Sequence, residues 1–212
     1  ILLANWAGVS EATDTLDLAF IIPDFLFYLS AGGYLAITLI PIMSEKKKSE
    51  LNNYFLSILY GMSLIFVIFS LITYSFRFQF AELLGVTSLD FFVEVFTPII
   101  FSQVFFFVGA ILMSYQYFHD NFKYAAIAPV VYNSTIIFFG WINSSTPEGT
   151  IKGFAIGTLI GSVLGHFLIQ IYGAKRSGLS FYLISPKFVH IKNYITISLP
   201  LILGQSIAVI DE

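Results

Sequence analysis

Long apolar runs separated by short polar stretches set the pattern of this chain. Windows at about 16–43, 54–76, 93–116, 124–143 and 151–173 are long enough to cross a bilayer as helices, and a further run covers 194–210. Helix is the expected form, because a strand facing hydrocarbon would leave its backbone N–H and C=O groups unpaired. The polar stretches between the runs are SEATDTLD, SEKKKSELNN, RFQFAELLGVTSLDFF, YFHDNFK, SSTPEGT and KRSGLSFYLISPKFVHIKN. The expectation is an all-α fold, a polytopic transmembrane helix bundle.

The first run, Leu16 to Met43, holds two prolines, a Gly-Gly pair and one carboxylate, Asp24, in 28 residues. A straight helix of that length would reach about 42 Å against a hydrocarbon core of roughly 30 Å, so the run should tilt, bend or break. Pro23, which lacks a backbone donor, and Gly32-Gly33 are the expected places. Asp24 would then lie about a third of the way into the bilayer. Two readings stay open: a kinked span whose carboxylate sits near the headgroups, or a broken helix lining a water-filled transport path.

Loop charge orients the chain. Lys46, Lys47, Lys48, Lys123, Lys175, Arg176, Lys187 and Lys192 fall on one set of alternate loops, and only Arg77 and Lys152 on the other, 8 against 2. The positive-inside rule makes the first set cytoplasmic. The 77–92 loop holds either a short interfacial helix at FAELLG or a plain connector, and SFYLISPKFVHIKNY reads as an amphipathic segment along the headgroups or as a simple loop.

Gly153, Gly157, Gly161 and Gly165 recur every fourth residue, a stripe that lets another helix backbone approach closely. Polar residues inside the apolar runs are Asp24, Gln103, Asn133, His166, Gln170 and Gln205. Most such amides hold helices together, and His166 reads either as an interhelical hydrogen-bonding group or as a proton relay.

Composition narrows the classes. The chain has 212 residues, of which 57% are hydrophobic and 11% charged. Its mean hydropathy is +0.84. An ordinary soluble domain carries about 25% charged residues, so that class is excluded. A formal charge of −3 spread between apolar runs gives no nucleic-acid surface. With no cysteine there are no disulfides or thiolate metal sites, and the three scattered histidines offer no ligand spacing, so no metal site and no cofactor are expected. No phosphate-binding glycine loop, nucleophile elbow or HExxH occurs, and no enzyme is expected. The chain opens on Ile1 with an apolar stretch too short to span and stops at Glu212 directly after an apolar run, which reads as a piece of a longer chain.

Four stretches carry a resemblance. ATDTLDLAFIIPDFLFYLSAGGYLAITLIPIMSE (Ala12 to Glu45) runs from a Thr-Asp through an Ile-Pro-Asp step and a glycine break to a proline-containing helix end. In FKYAAIAPVVYNSTIIFFG, residues Phe122, Ala128, Pro129 and Asn133 fit a Phe-x-x-x-x-x-Ala-Pro-x-x-x-Asn signature. GFAIGTLIGSVLGHFLIQ (Gly153 to Gln170) and SLPLILGQSIAVID (Ser198 to Asp211) complete the set. In this order they resemble the MurJ/MviN family of lipid II flippases, within the multidrug/oligosaccharidyl-lipid/polysaccharide exporter superfamily.

That resemblance implies two six-helix lobes facing each other across a central cavity, followed by two extra helices. Residues 1–173 would be the amino-terminal lobe (the end of helix one and helices two to six), 174–193 a cytoplasmic amphipathic connector, and 194–212 the start of helix seven in the second lobe. The implied activity is movement of lipid II, an undecaprenyl-pyrophosphate-linked disaccharide-pentapeptide, from the inner to the outer leaflet of the bacterial cytoplasmic membrane by alternating access. Membrane phospholipids and cell-wall synthesis proteins are the other implied partners. Asp14 would hold an outer gate, Asp24, Phe27, Tyr28, Gly32, Gly33 and Asn133 would serve the substrate cavity or its gate, and Pro23, Pro41, Pro129 and the four glycines would bend or pack helices. One departure matters: Phe27 stands where the family usually has an arginine. That keeps two alternatives in view, a flippase for another polyprenyl-linked oligosaccharide and a non-transporting scaffold for cell-wall synthesis.

Overall fold

The computed structural model describes residues 5–30 and 34–210, with side chains throughout except at 25–30, 34–37, 199 and 201–210. Its helices are α1 (Glu11–Ser30), α2 (Tyr34–Ser44), α3 (Lys48–Ser75), α4 (Arg77–Leu83), α5 (Leu89–Phe118), α6 (Lys123–Ile142), α7 (Pro147–Gly161), α8 (Ile169–Arg176) and α9 (Phe188–Ile210). A π-helical stretch, Ser162–Leu168, joins α7 to α8 in one rod of 30 residues. Among the described residues no strand occurs, and α3, α5, α6 and this rod are each long and apolar enough to cross a membrane. This is a multi-pass membrane protein.

Helix α5 is the centre of the bundle. It is apolar nearly all round, with buried residues from Phe92 to Gln116, and α1, α2, α3, α7, α8 and the π stretch all pack against it. A helix without a polar face has to be surrounded. Around it form two clusters, one at each end. Ala12, Leu16, Ala19, Phe92, Phe96, Ile99, Ile151 and Ala155 belong to one, and Met43, Phe55, Ile58, Phe107, Ile111, Tyr115, Leu179 and Tyr194 to the other.

The loops sort to the same two ends. Thr87 hydrogen-bonds to Glu11 and Lys152 pairs with Glu94, joining three loops of the charge-poor set. Asn121 donates to Ser177 at 2.9 Å and Asn52 to the carbonyl of Ser180 at 2.8 Å, joining the lysine-rich set. Alternate loops therefore meet at opposite ends, as an up-and-down bundle requires.

The four glycines set the tightest pairing, α6 against α7. A Cβ on Gly157 would lie 2.7 Å from Ile136 Cα, on Gly161 2.9 Å from the Tyr132 carbonyl oxygen, and on Gly165 2.7 Å from that of Ala128. One on Gly153 would run into the Phe139 carbonyl. Bare backbone on one helix faces bare backbone on the other.

Three local expectations change. Pro23 does not break the first run: α1 continues through it to Ser30. The proline is buried, and Ala19, one turn before it, is wholly covered, so neighbouring helices hold the turn whose hydrogen bond is missing. Gly32 and Gly33 lie outside the described residues. Second, SEATDTLD is mostly helix: Ser10 Oγ accepts from the Thr13 N–H at 3.4 Å, and α1 begins at Glu11. Third, the stretch read as an amphipathic segment or a simple loop is irregular up to Lys187 and helical from Phe188. Residues 179–187 have no regular secondary structure and lie against α3, where Asn52 holds both backbone groups of Ser180, Tyr60 donates to the Tyr182 carbonyl at 3.1 Å, and Ser57 Oγ accepts from the Lys187 N–H at 2.6 Å. A segment whose backbone is satisfied by side chains has no need of helical bonds. The 77–92 loop does contain a helix, α4, anchored by the fully buried Ala81.

Candidate functional site

Two faces of α1 differ in chemistry. Ala12, Thr15, Leu16, Ala19 and Pro23 are buried in the bundle, while Asp14, Asp17, Ile21 and Asp24 are exposed on the opposite side. Ten residues of helix separate Asp14 from Asp24, about 15 Å along the axis, so this acidic face runs from the end of the bundle into membrane depth.

Asp24 meets the rest of the lobe at a small cavity of about 120 Å³. Phe20 joins it from the previous turn of α1, Gln103 and Phe106 from α5, and Tyr132 from α6. The Phe106 and Tyr132 rings meet edge to face at 5.0 Å between centroids. Behind them stands His166, its ring 4.3 Å from Phe106 and 5.7 Å from Tyr132. His166 sits in the π stretch, whose wider turn pushes its carbonyl against α5 at Gly109, where a Cβ would collide with it.

The polar atoms here are under-satisfied. Gln103 is 4% exposed, and neither its Oε1 nor the His166 Nδ1 has a hydrogen-bond partner among the described residues. Among those residues no Lys or Arg pairs with Asp24 either; the described ion pair is Lys152 with Glu94, at the end of the bundle. Asp24 and Gln103 thus line one small cavity, and Gln103 keeps a buried amide oxygen without a partner among the described residues.

Other sequence candidates fall elsewhere. Asn133, one residue past Tyr132, is exposed and donates to the Pro129 carbonyl at 2.9 Å, so it does not line this cavity. Asp14 lies exposed in the first turn of α1. Phe27 and Tyr28 are helical, and their side chains are outside the described residues, as is that of Gln205. Pro41 and Pro129 sit inside unbroken α2 and α6. Gln170 serves the packing of the bundle. Its Oε1 accepts from Gln116 Nε2 at 2.7 Å and its own Nε2 donates to the Tyr124 carbonyl at 3.1 Å, tying α8 to α5 and α6. Phe20, Phe106 and Tyr132 carry no signal in a chain with 24 phenylalanines and 12 tyrosines. Only the turn spacing of Phe20 to Asp24 could have suggested one of them.

With the geometry in place, comparison with known proteins decides the family. The family model described as lipid II flippase MurJ matches residues 3–212. The chain belongs to the MurJ family. It is 30% identical over 176 residues, 80% of its length, to the lipid II flippase MurJ of Thermosipho africanus (strain TCF52B). A solved structure, lipid II flippase MurJ in an inward closed conformation, superposes with a TM-score of 0.77 at 25% identity over 97% of this chain. The chain spans 36% of the length of the first of these MurJ proteins and 43% of the second.

Proposed function

We propose that this chain is the amino-terminal lobe of a flippase that carries lipid II from the inner to the outer leaflet of the bacterial cytoplasmic membrane. In this reading residues 1–173 form the lobe, 174–193 the connector and 194–212 the start of the first helix of a second lobe. The observation that carries it is the acidic face of α1, ending in the Asp24 cavity, on a helix whose other face is packed against the bundle. Such a face is costly against acyl chains and is tolerated beside water or a facing lobe. The family membership supports the substrate.

The chemistry divides between lobes. The apolar windows of this chain contain no arginine, and their one lysine, Lys152, lies at a window's edge, so the pyrophosphate is held by other residues of the transporter. Asp24 is an acceptor for the hydroxyl and amide N–H groups of the disaccharide-pentapeptide, and Asp14 holds the outer gate. The stiff α6–α7 pair moves as a unit, because its backbones touch and leave no side chains to repack.

Complementation tests this. The whole gene product should restore growth to cells depleted of their own lipid II flippase, and its Asp24→Asn variant should restore it poorly at equal membrane abundance. Failure of the inserted wild-type protein would refute the substrate. Full rescue by the variant would favour a scaffold.

A further inference from the structure

We infer that the groove between α3, α5 and the α7 rod holds an acyl chain of an outer-leaflet phospholipid whose phosphate is bound by Arg77. This goes beyond the transport reading and takes from the sequence only the loop charge that makes this end of the bundle the outer one.

The groove has a volume of about 570 Å³, and every residue lining it is apolar, among them Val67 and Leu71 of α3, Phe101 and Phe105 of α5, and Leu159 and Val163 of the rod. It faces away from Asp24. At about 100° per residue, Phe101, Val104 and Phe105 lie on the side of α5 opposite to Gln103 and Phe106, which line the Asp24 cavity. Val67, Leu71 and Leu164 on its rim are exposed, so the groove opens on the bilayer, where an acyl chain supplies the contacts that an empty space would forfeit.

A headgroup site stands at its outer end. Val67, Leu71 and Tyr74 follow one stripe of α3, and the Tyr74 ring meets that of Phe101 at 5.4 Å between centroids. The Arg77 guanidinium lies against the Tyr74 and Phe78 rings, 4.3 and 4.4 Å from their centroids. Its Nη1 donates to the Tyr74 carbonyl at 3.1 Å and its Nε is covered, which leaves the edge carrying Nη2 for a ligand. Among the described residues no carboxylate pairs with it, whereas Lys152 at the same end pairs with Glu94. Depth agrees, because Phe76, Phe78 and Leu83 are exposed on and beside α4, as on a helix lying among headgroups. A cation fixed by two rings, free of any acid and set at the mouth of an apolar groove, matches a phosphodiester whose chain points to the membrane centre.

The test uses the purified full-length protein, stripped of lipid in detergent and titrated with 1-palmitoyl-2-oleoyl phosphatidylglycerol, with each protein–lipid species counted by native mass spectrometry. Wild type should hold one phospholipid at least tenfold more tightly than the next. Arg77→Gln should lose that preference, and Arg77→Lys, which keeps the charge without the planar fork, should keep only part of it. Val67→Trp fills the groove from an exposed apolar position, so it should remove the tight site with Arg77 intact and gives a reading even if the arginine variants fold badly. If wild type shows no tight first lipid, or if both Arg77→Gln and Val67→Trp retain it, the site is refuted. Displacement of the phospholipid by equimolar undecaprenyl phosphate would make the occupant a polyprenyl lipid and overturn the assignment. Complementation does not enter this measurement, so failed rescue with an Arg77-dependent lipid overturns the flippase reading alone, and rescue without such a lipid overturns the phospholipid site alone.

Discussion

Replacing Gly157 by alanine makes a test in which the sign itself is informative. At an unhindered helix position Gly→Ala stabilises by about 1 kcal/mol through lost backbone freedom in the unfolded chain. At Gly157 the new Cβ would stand 2.7 Å from Ile136 Cα, 3.1 Å from the Thr135 carbonyl oxygen and 3.2 Å from Phe139 Cβ. To reach an ordinary contact of 3.4 Å, α6 and α7 must separate by about 0.7 Å, and the obstacle is main chain, which cannot swing aside as a side chain does. Separation also loosens the flanking contacts at Gly153 and Gly161 on the same stripe. Overpacking of a rigid core costs about 3 kcal/mol at its upper range, so the net is a destabilisation of about 2 kcal/mol, some thirtyfold in the folding equilibrium. Gly61→Ala is the comparison, because its Cβ would meet the Cδ1 and Cγ1 atoms of the Ile191 side chain rather than main chain. Unfolding in mixed detergent and SDS micelles measures both variants. If Gly157→Ala proves as stable as wild type, or more so, close backbone packing between α6 and α7 is refuted.

Two further outcomes follow from the lysine-rich end. Asn52→Ala removes both hydrogen bonds that fix Ser180, each worth about 1 kcal/mol, and should make residues 177–187 markedly faster in amide exchange and more open to protease, while the α5 core stays protected. Exchange followed by mass spectrometry would show it, and unchanged protection of the strap would count against the pinning. His190 lies before the apolar run 194–210, its ring 4.8 Å from that of Tyr54, and burial, with the charges of Lys187 and Lys46 adding to it, holds it below its ordinary value of 6.5. A histidine depressed in the folded state takes up its proton more readily unfolded, so stability is present above pH 6.5 and falls as pH drops below that value. Thermal unfolding against pH should show this slope, and His190→Gln should flatten it.

Much of this protein was legible along the chain. Run length and polarity determine an all-helical membrane bundle, because a backbone in hydrocarbon has no other way to pair its polar groups. The imbalance of loop lysines separates the two ends, and a glycine every fourth residue marks a smooth helix stripe, since that spacing stays on one face. Tertiary structure alone decided how each helix is turned about its axis. Tyr132 and Asn133 are adjacent, yet a rotation of about 100° between neighbours puts the tyrosine on the cavity and leaves the amide exposed. Pro23 looks like a breaker until Ala19 and the bundle are seen to cover its turn. The π stretch at His166 answers to the room left by Gly109 on another helix, and the strap answers to Asn52 and Tyr60, more than 120 residues away in sequence. Local pattern sets which segments are helices; which face each one buries is set by partners distant in the chain, and the candidate site exists only where three such faces meet.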